Sequence, residues 1–220
     1  MNSSYLSKAR LLVTLAFCSV LSASAQVTSA ELETRDGIMY VIGSESPFSG
    51  DVVDPGTLTG SVIEGLRDGE WLRSYPSGEP GQLMVFEAGV LQRRVSWHEN
   101  GIESSALAYR DGRPHGPMVH RDEKGVVRER HVYEMGQLEG LEEMFDHKGQ
   151  LMLTTEYVAG VRHGARIWWY DDDHKRWETH FEDGKRSGTW IQYTFEGGVF
   201  MESSWENDAL IARVNPHRGH

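Results

Sequence analysis

The 220-residue chain holds one cysteine, Cys18, which excludes a disulfide framework and any zinc site built on thiolates. Cations are scarce: 22 Lys and Arg against 33 Asp and Glu leave a formal charge of −11. Nucleic-acid binding needs basic residues to neutralise phosphates, so nucleic acid is not an expected partner. Catalytic patterns are missing as well. The sequence has no G-x-S-x-G, no HExxH, and no glycine-rich loop followed by Lys-Ser or Lys-Thr. Adjacent carboxylates such as Glu142 and Glu143 point to opposite faces of a strand and cannot act as a pair. A non-enzymatic chain without a cofactor is the expectation.

The one long apolar run lies at the start. Lys8 and Arg10 precede Leu11 to Leu21, and Ala23-Ser24-Ala25 supplies small residues of A-x-A type. That order predicts an export signal over residues 1–25, cleaved before Gln26, with a periplasmic or secreted destination and no membrane span left after cleavage. Cleavage removes the only cysteine and two cations, taking the charge from −11 to −13.

What the chain has in excess is glycine, and its 24 glycines keep time. Gly112, Gly136, Gly160 and Gly184 stand 24 residues apart, and Gly116, Gly140, Gly164 and Gly188 follow each of them by four. Gly65 and Gly69 begin the series. Gly89 comes next, with Arg93 where the second glycine is expected, and the one 23-residue step follows it as a one-residue deletion before Gly101. A third turn position falls at Gly78, Gly101, Gly125, Gly149, Asp173 and Gly197. Eight residues after it comes an aromatic: Phe86, Tyr109, Tyr133, Tyr157, Phe181 and Trp205.

A fixed period of this length is the mark of a repeat architecture. The gaps between turns are too short for helices, and dipeptides such as Asp111-Gly112 and Asp183-Gly184 favour tight reversals. The fold expected is all-β: an elongated, open antiparallel meander of hairpins in a single twisted sheet. Its divisions are a lead-in segment over 26–64 with one short hairpin between Gly50 and Gly65, six repeats over 65–211, and a flexible tail over 212–220.

The unit GEWLRSYPSG, its relative GTWIQYTFEG and the trailing aromatic resemble MORN-type repeats, and more narrowly the bacterial variant grouped with YwqK-family antitoxin proteins. The segment DGIMYVIGSESPFSGDVV, with its P-F-x-G stretch, is similar to the part preceding the repeats in that family. The resemblance covers about Asp36 to Leu210 and implies an interaction module, since some relatives are immunity proteins against toxins. The tryptophan after the second glycine is present at Trp71 and Trp190, whereas Met118, Glu142 and Arg166 stand at the matching positions.

Within the repeats, Leu72, Val119, Glu143, Ile167 and Ile191 belong to the strand parity expected to face a core. The opposite parity gathers Trp168, Tyr170 and Trp190 into an aromatic platform, the candidate partner-binding surface. The acidic balance favours a basic protein partner, and an envelope glycan or lipid surface is the alternative ligand. Ten histidines invite a metal reading. However, His115 and His163 hold one repeat position two units apart, roughly 20 Å in a sheet that adds two strands of about 4.8 Å per unit. The others, His131 among them, are scattered, so they read as surface polar residues and no metal site is expected. Asp171-Asp172-Asp173 lacks the glycine of a calcium loop and reads as a turn.

Overall fold

The computed structural model describes residues 25–171 and 173–214. The expected export signal lies outside these residues except for Ala25, as do Asp172 and the last six positions of the tail. The lead-in comprises β1 (Ala25–Val27), β2 (Leu32–Arg35), β3 (Ile38–Val41), β4 (Gly50–Asp54) and β5 (Leu58–Ile63). The repeats supply β6 (Leu66–Ser74), β7 (Pro80–Glu87), β8 (Val90–Trp97), β9 (Glu103–Arg110), β10 (Arg113–Arg121), β11 (Val127–Glu134), β12 (Gln137–Leu138) and β13 (Gly140–Phe145). They continue through β14 (Leu151–Val158), β15 (Val161–Trp169), β16 (Lys175–Glu182), β17 (Lys185–Tyr193), β18 (Val199–Glu206) and β19 (Ala209–Val214). No helix among the described residues is long and apolar enough to cross a membrane.

From β4 to β19 each strand pairs antiparallel with the next in chain order, and β12 with β13 acts as one interrupted strand against β11. Strand β1 adds to β4 in parallel, and no pairing among the described residues joins the two ends. The sheet is therefore the open meander that the repeats led us to expect. Only β2 and β3 stand apart, as a two-stranded sheet. One boundary moves: residues 212–214, expected to be flexible, lie in β19, where Ser203 pairs with Arg213 and Glu202 with Val214.

Each glycine of the clock has a distinct backbone task. The first is the second residue of a two-residue reversal in which both residues have positive φ, as in Ala88-Gly89 (45° and 81°) and Asp183-Gly184 (49° and 81°). This is the mirror-image turn whose twist matches that of the flanking strands. The third closes a three-residue loop: Gly78 N–H donates to Tyr75 O at 2.9 Å, while Tyr75 N–H donates to Glu79 O at 2.8 Å.

The second glycine sits in a bulge. Between the pairs Thr155↔Arg166 and Tyr157↔Arg162, strand β15 has two more residues than β14, and Gly164 lies among them with φ of 95°. The same happens at Gly69, Gly116 and Gly188. In the short unit the bulge holds a single extra residue, because Val85 pairs with Arg93 and Phe86 with Leu91. The deletion thus falls in the bulge itself. Arg93, expected in the glycine's place, is a regularly paired residue beyond it.

The trailing aromatics answer the second glycine across the ladder. Phe86 pairs with Gly69, Tyr133 with Gly116, Tyr157 with Gly140, Phe181 with Gly164 and Trp205 with Gly188. A ring opposite a residue without a side chain covers the exposed backbone there, and directly opposed residues share a face. This aromatic face also carries Trp71, Met118, Glu142, Arg166 and Trp190. It holds most of the deeply buried side chains, including Trp71, Leu107, Leu153 and Phe181. The expected core parity is thus reversed. Leu72 and its equivalents lie on the other face, because both faces are mixed in polarity and alternation alone does not rank them.

Successive units are tied at their turns. Gly89 N–H donates to Arg67 O at 2.8 Å, Gly160 N–H to Leu138 O at 2.8 Å and Gly184 N–H to Arg162 O at 2.9 Å. The residue before the second glycine adds a side-chain acceptor for the next turn. Asp68 Oδ1 accepts from Ala88 N–H at 3.1 Å, Glu139 Oε2 from Ala159 N–H at 2.8 Å, and His163 Nδ1 from Asp183 N–H at 3.4 Å. His163 therefore has a structural use within the repeat.

Candidate functional site

The aromatic face differs at its two ends. At the N-terminal end, Phe48, Val52, Val62 and Trp71 form a buried cluster, and Leu32, Met39 and Val41 of the lead-in hairpin pack against it. Backbone bonds fix that cover: Met39 N–H donates to Gly65 O at 2.8 Å, and Gly65 N–H to Phe48 O at 2.7 Å. Gly60 makes the room, since a Cβ there would lie 2.2 Å from the Trp71 ring.

At the C-terminal end nothing in the described chain covers the corresponding surface. Strands β15 to β17 leave a groove of about 670 Å³. Trp168 and Trp177 pair directly across it, and Arg166 pairs with Thr179. Phe181 and Trp190 form its floor, with ring centroids 5.7 Å apart, and Trp205 lies 5.1 Å beyond Trp190. The Trp190 indole is held by a bond from Nε1 to His180 O at 3.1 Å.

Four arginines line the groove as well: Arg162, Arg166, Arg176 and Arg186. The Arg162 guanidinium stacks 4.4 Å from the Phe181 ring centre and that of Arg166 lies 4.2 Å from Trp168. Arg186 sits 4.1 Å from Trp205 and pairs with Asp208 at 3.0 Å. Arg162, Arg166 and Arg176 have no ion-pair partner among the described residues, and Arg166 Nε is buried without a hydrogen bond. Desolvation, with the Arg162 charge beside it, lowers the Arg166 pKa from its ordinary value. An arginine stays protonated even so. The Glu142 charge, across Thr155 on the same face, acts on Arg166 in the opposite sense, but no carboxylate forms an ion pair with these three guanidiniums among the described residues.

Of the residues expected on the platform, Trp168 and Trp190 meet in this groove. Tyr170 does not line it. It is 41% exposed at the turn, its hydroxyl donates to Tyr193 O at 3.3 Å, and its ring packs 5.6 Å from Phe195. Tyr75 makes the equivalent bond to Trp97 O at 2.9 Å, so this tyrosine latches neighbouring units. Reading the sequence missed Trp177 and all four arginines. One signal was present: Arg67, Arg162 and Arg186 share the third position of GLRDG, GVRHG and GKRSG. Each stacks on the trailing aromatic of its own unit.

The histidines are mostly accounted for locally. His98 Nε2 contacts Arg121 O at 2.8 Å, His180 Nδ1 contacts Thr189 O at 2.9 Å, and His174 Nδ1 contacts Asp171 Oδ1 at 2.8 Å. Asp171 Oδ1 also accepts from the backbone N–H groups of Asp173 and His174, as expected of a turn. His131 departs from the expectation of a surface residue, being 8% exposed.

No family model matches the chain, and no curated protein matches it. Among solved structures it is similar to accessory secretory protein 1, 2 and 3 of Streptococcus pneumoniae, with 15% identity and a TM-score of 0.29. That match covers 56% of this chain and 22% of the other, so the chain spans about a fifth of the length of the structure it matches.

Proposed function

We propose that this chain is an exported, non-enzymatic repeat protein that binds another protein, and that the groove of β15 to β17 seats an acidic, extended segment of that partner. The observation carrying this reading is the groove itself, where four arginines, three of them without an ion-pair partner among the described residues, alternate with tryptophans on an uncovered face. Guanidiniums recognise carboxylates in a fixed fork geometry, and tryptophan with arginine dominates protein-binding hot spots. The occupant is taken as polypeptide because the same face, at Trp71, is already covered by a β-hairpin of this chain. Net charge favoured a basic partner for the surface as a whole, but the groove carries the opposite sign. Export rests on the Lys8–Ala25 pattern, and an immunity role is the special case in which the partner is a toxin whose surface is occluded.

The test is titration of the chain with acidic and basic peptides, read by tryptophan fluorescence, alongside partner recovery from the envelope. Saturable binding of the acidic peptide that weakens with salt, and weakens again in Trp168→Ala and in Arg166→Gln, supports the reading. An envelope glycan remains the second reading, since open indole rings also stack on sugars. Retention on cell-wall glycan, with no peptide response and no recovered protein, would overturn the first reading in its favour.

A further inference from the structure

Further along the aromatic face, across Thr155 from the groove's Arg166, lies a polar cluster on β11 and β13. Arg130 pairs with Glu143 and Glu129 with Met144, so the next step of the ladder brings His131 beside Glu142. Glu129, two residues before His131, projects to the same side. The donor atoms of Glu129, His131 and Glu142 all lie within 4.8 Å of one another.

His131 is the informative member. Its side chain is 7% exposed, and neither ring nitrogen has a hydrogen-bond partner. Nδ1 approaches Glu129 Oε1 at 3.2 Å without the alignment of a hydrogen bond. The Tyr133 ring packs edge-on against the imidazole at 4.9 Å and fixes its plane. A buried imidazole whose two ring nitrogens lack hydrogen bonds has unmet bonding capacity that a ligand would satisfy. Glu142 adds its charge to the burial that raises the Tyr157 pKa, which sets the phenol beside the cluster.

We propose that Glu129, His131 and Glu142 bind a divalent transition-metal ion, with zinc as the fitting probe. One imidazole nitrogen and two carboxylate oxygens form a mixed nitrogen–oxygen donor set. Such a set suits zinc and its neighbours better than calcium, which takes six to eight oxygens. Donors at about 2.0–2.2 Å from a tetrahedral ion stand about 3.4 Å apart. Two glutamate side chains reach that spacing by small torsional shifts. The two carboxylates carry the compensating charge, and a fourth position remains open on the exposed side.

Zinc titration of the full, untagged chain by calorimetry tests the site. The expected result is uptake of one zinc per chain with a raised unfolding temperature. Glu142→Gln and Glu129→Gln should each weaken it at least tenfold, while a His217→Ala/His220→Ala double variant leaves it unchanged. Cobalt substitution should give the visible bands of a four- or five-coordinate ion, and Glu142→Gln should abolish them. Uptake that survives both glutamate variants would belong to other surface groups and overturn the proposal. Absence of saturable one-to-one uptake overturns it too, leaving His131 as a buried imidazole beside two carboxylates. His131→Ala empties a buried position, so the glutamate variants decide the matter should it fail to fold.

Discussion

Trp71 and Trp190 occupy one position of the repeat at opposite ends of the sheet, and their immediate surroundings are nearly the same. Each indole donates to a carbonyl of the preceding strand, at 3.0 Å to Ser61 and 3.1 Å to His180. Each has an arginine over its ring, at 4.8 Å for Arg67 and 5.8 Å for Arg186. Each meets the trailing aromatic of its unit, Phe86 at 6.5 Å and Trp205 at 5.1 Å. What differs is the layer above. The lead-in hairpin leaves Trp71 2% exposed, whereas no described residue covers Trp190 in that way. One motif thus serves as core where the chain folds back over it and as a binding floor where it does not. The repeat supplies the tryptophan, and the non-repeating segment decides its use.

That contrast breaks first under truncation. Trp71→Ala should cost about 3–5 kcal/mol, because the cavity lies among residues that cannot collapse into it. Trp190→Ala should cost about 1–2 kcal/mol, in proportion to the area it buries. Equal falls in the unfolding midpoint would mean that the lead-in hairpin adds no packing. The next effect is at Gly60. Its counterpart beneath Trp190 is Thr179, so Gly60→Ala should destabilise by about 1–3 kcal/mol through a clash with the indole. A neutral result in thermal melts would show that Trp71 can lift without losing its contacts.

A smaller stability effect sharpens the other side. Arg166→Gln should change stability by no more than about 0.5 kcal/mol while weakening acidic-peptide binding about tenfold. A large loss of stability would instead make this arginine part of the fold.

The smallest effect concerns pH and is confined to the C-terminal end. On the reverse face, Tyr193 Oη donates to Glu178 at 3.0 Å and Lys175 Nζ donates to the same oxygen at 2.8 Å. Thr59 and Ser74 hold the matching places near Trp71. Burial would raise the Glu178 pKa, but the bonds from Lys175 and Tyr193 outweigh it and hold the pKa below the usual 4.5. Burial, then Glu178, pushes Tyr193 from 10.0 up to about 12. A depressed carboxyl adds stability above its unfolded pKa that is lost as pH falls through the folded one. A raised phenol adds stability below pH 10 that is lost as pH climbs through 12. Unfolding midpoints should therefore hold level from about pH 5 to 10 and fall on both sides. Glu178→Gln should flatten the acid limb and bring the Tyr193 titration partway back, burial retaining the remainder. An unmoved titration would remove Glu178 from the account.

The meander, the six units and the turn positions were legible because reversals with positive φ and bulges leave fixed glycines, and the opposed rings follow at a fixed offset. The identity of the buried face was not. Leu72 and Ile191 on one side and Trp71 and Trp190 on the other are all apolar, and only the lead-in hairpin ranks them. Arg93 was misplaced because a deletion inside a bulge leaves no residue to mark it. Trp168 and Trp190 were found as exposed aromatics, but their arginines were hidden by a net charge averaged over the whole chain. His131 went unseen because its partner Glu142 is a ladder neighbour, eleven residues distant in sequence.

The nearest-neighbour ladder has a mechanical consequence. Strand β19 is bonded only to β18 among the described residues, whereas the strands of the meander before it, short β12 aside, are paired on both sides. A pull that peels β19 from β18 therefore breaks its backbone bonds one after another, as in opening a zip, before the next strand is reached. Each 24-residue unit released adds about 80 Å of slack. The molecule would yield at low force in regular steps and stiffen only at the lead-in hairpin, where Phe48 and Trp71 share a core.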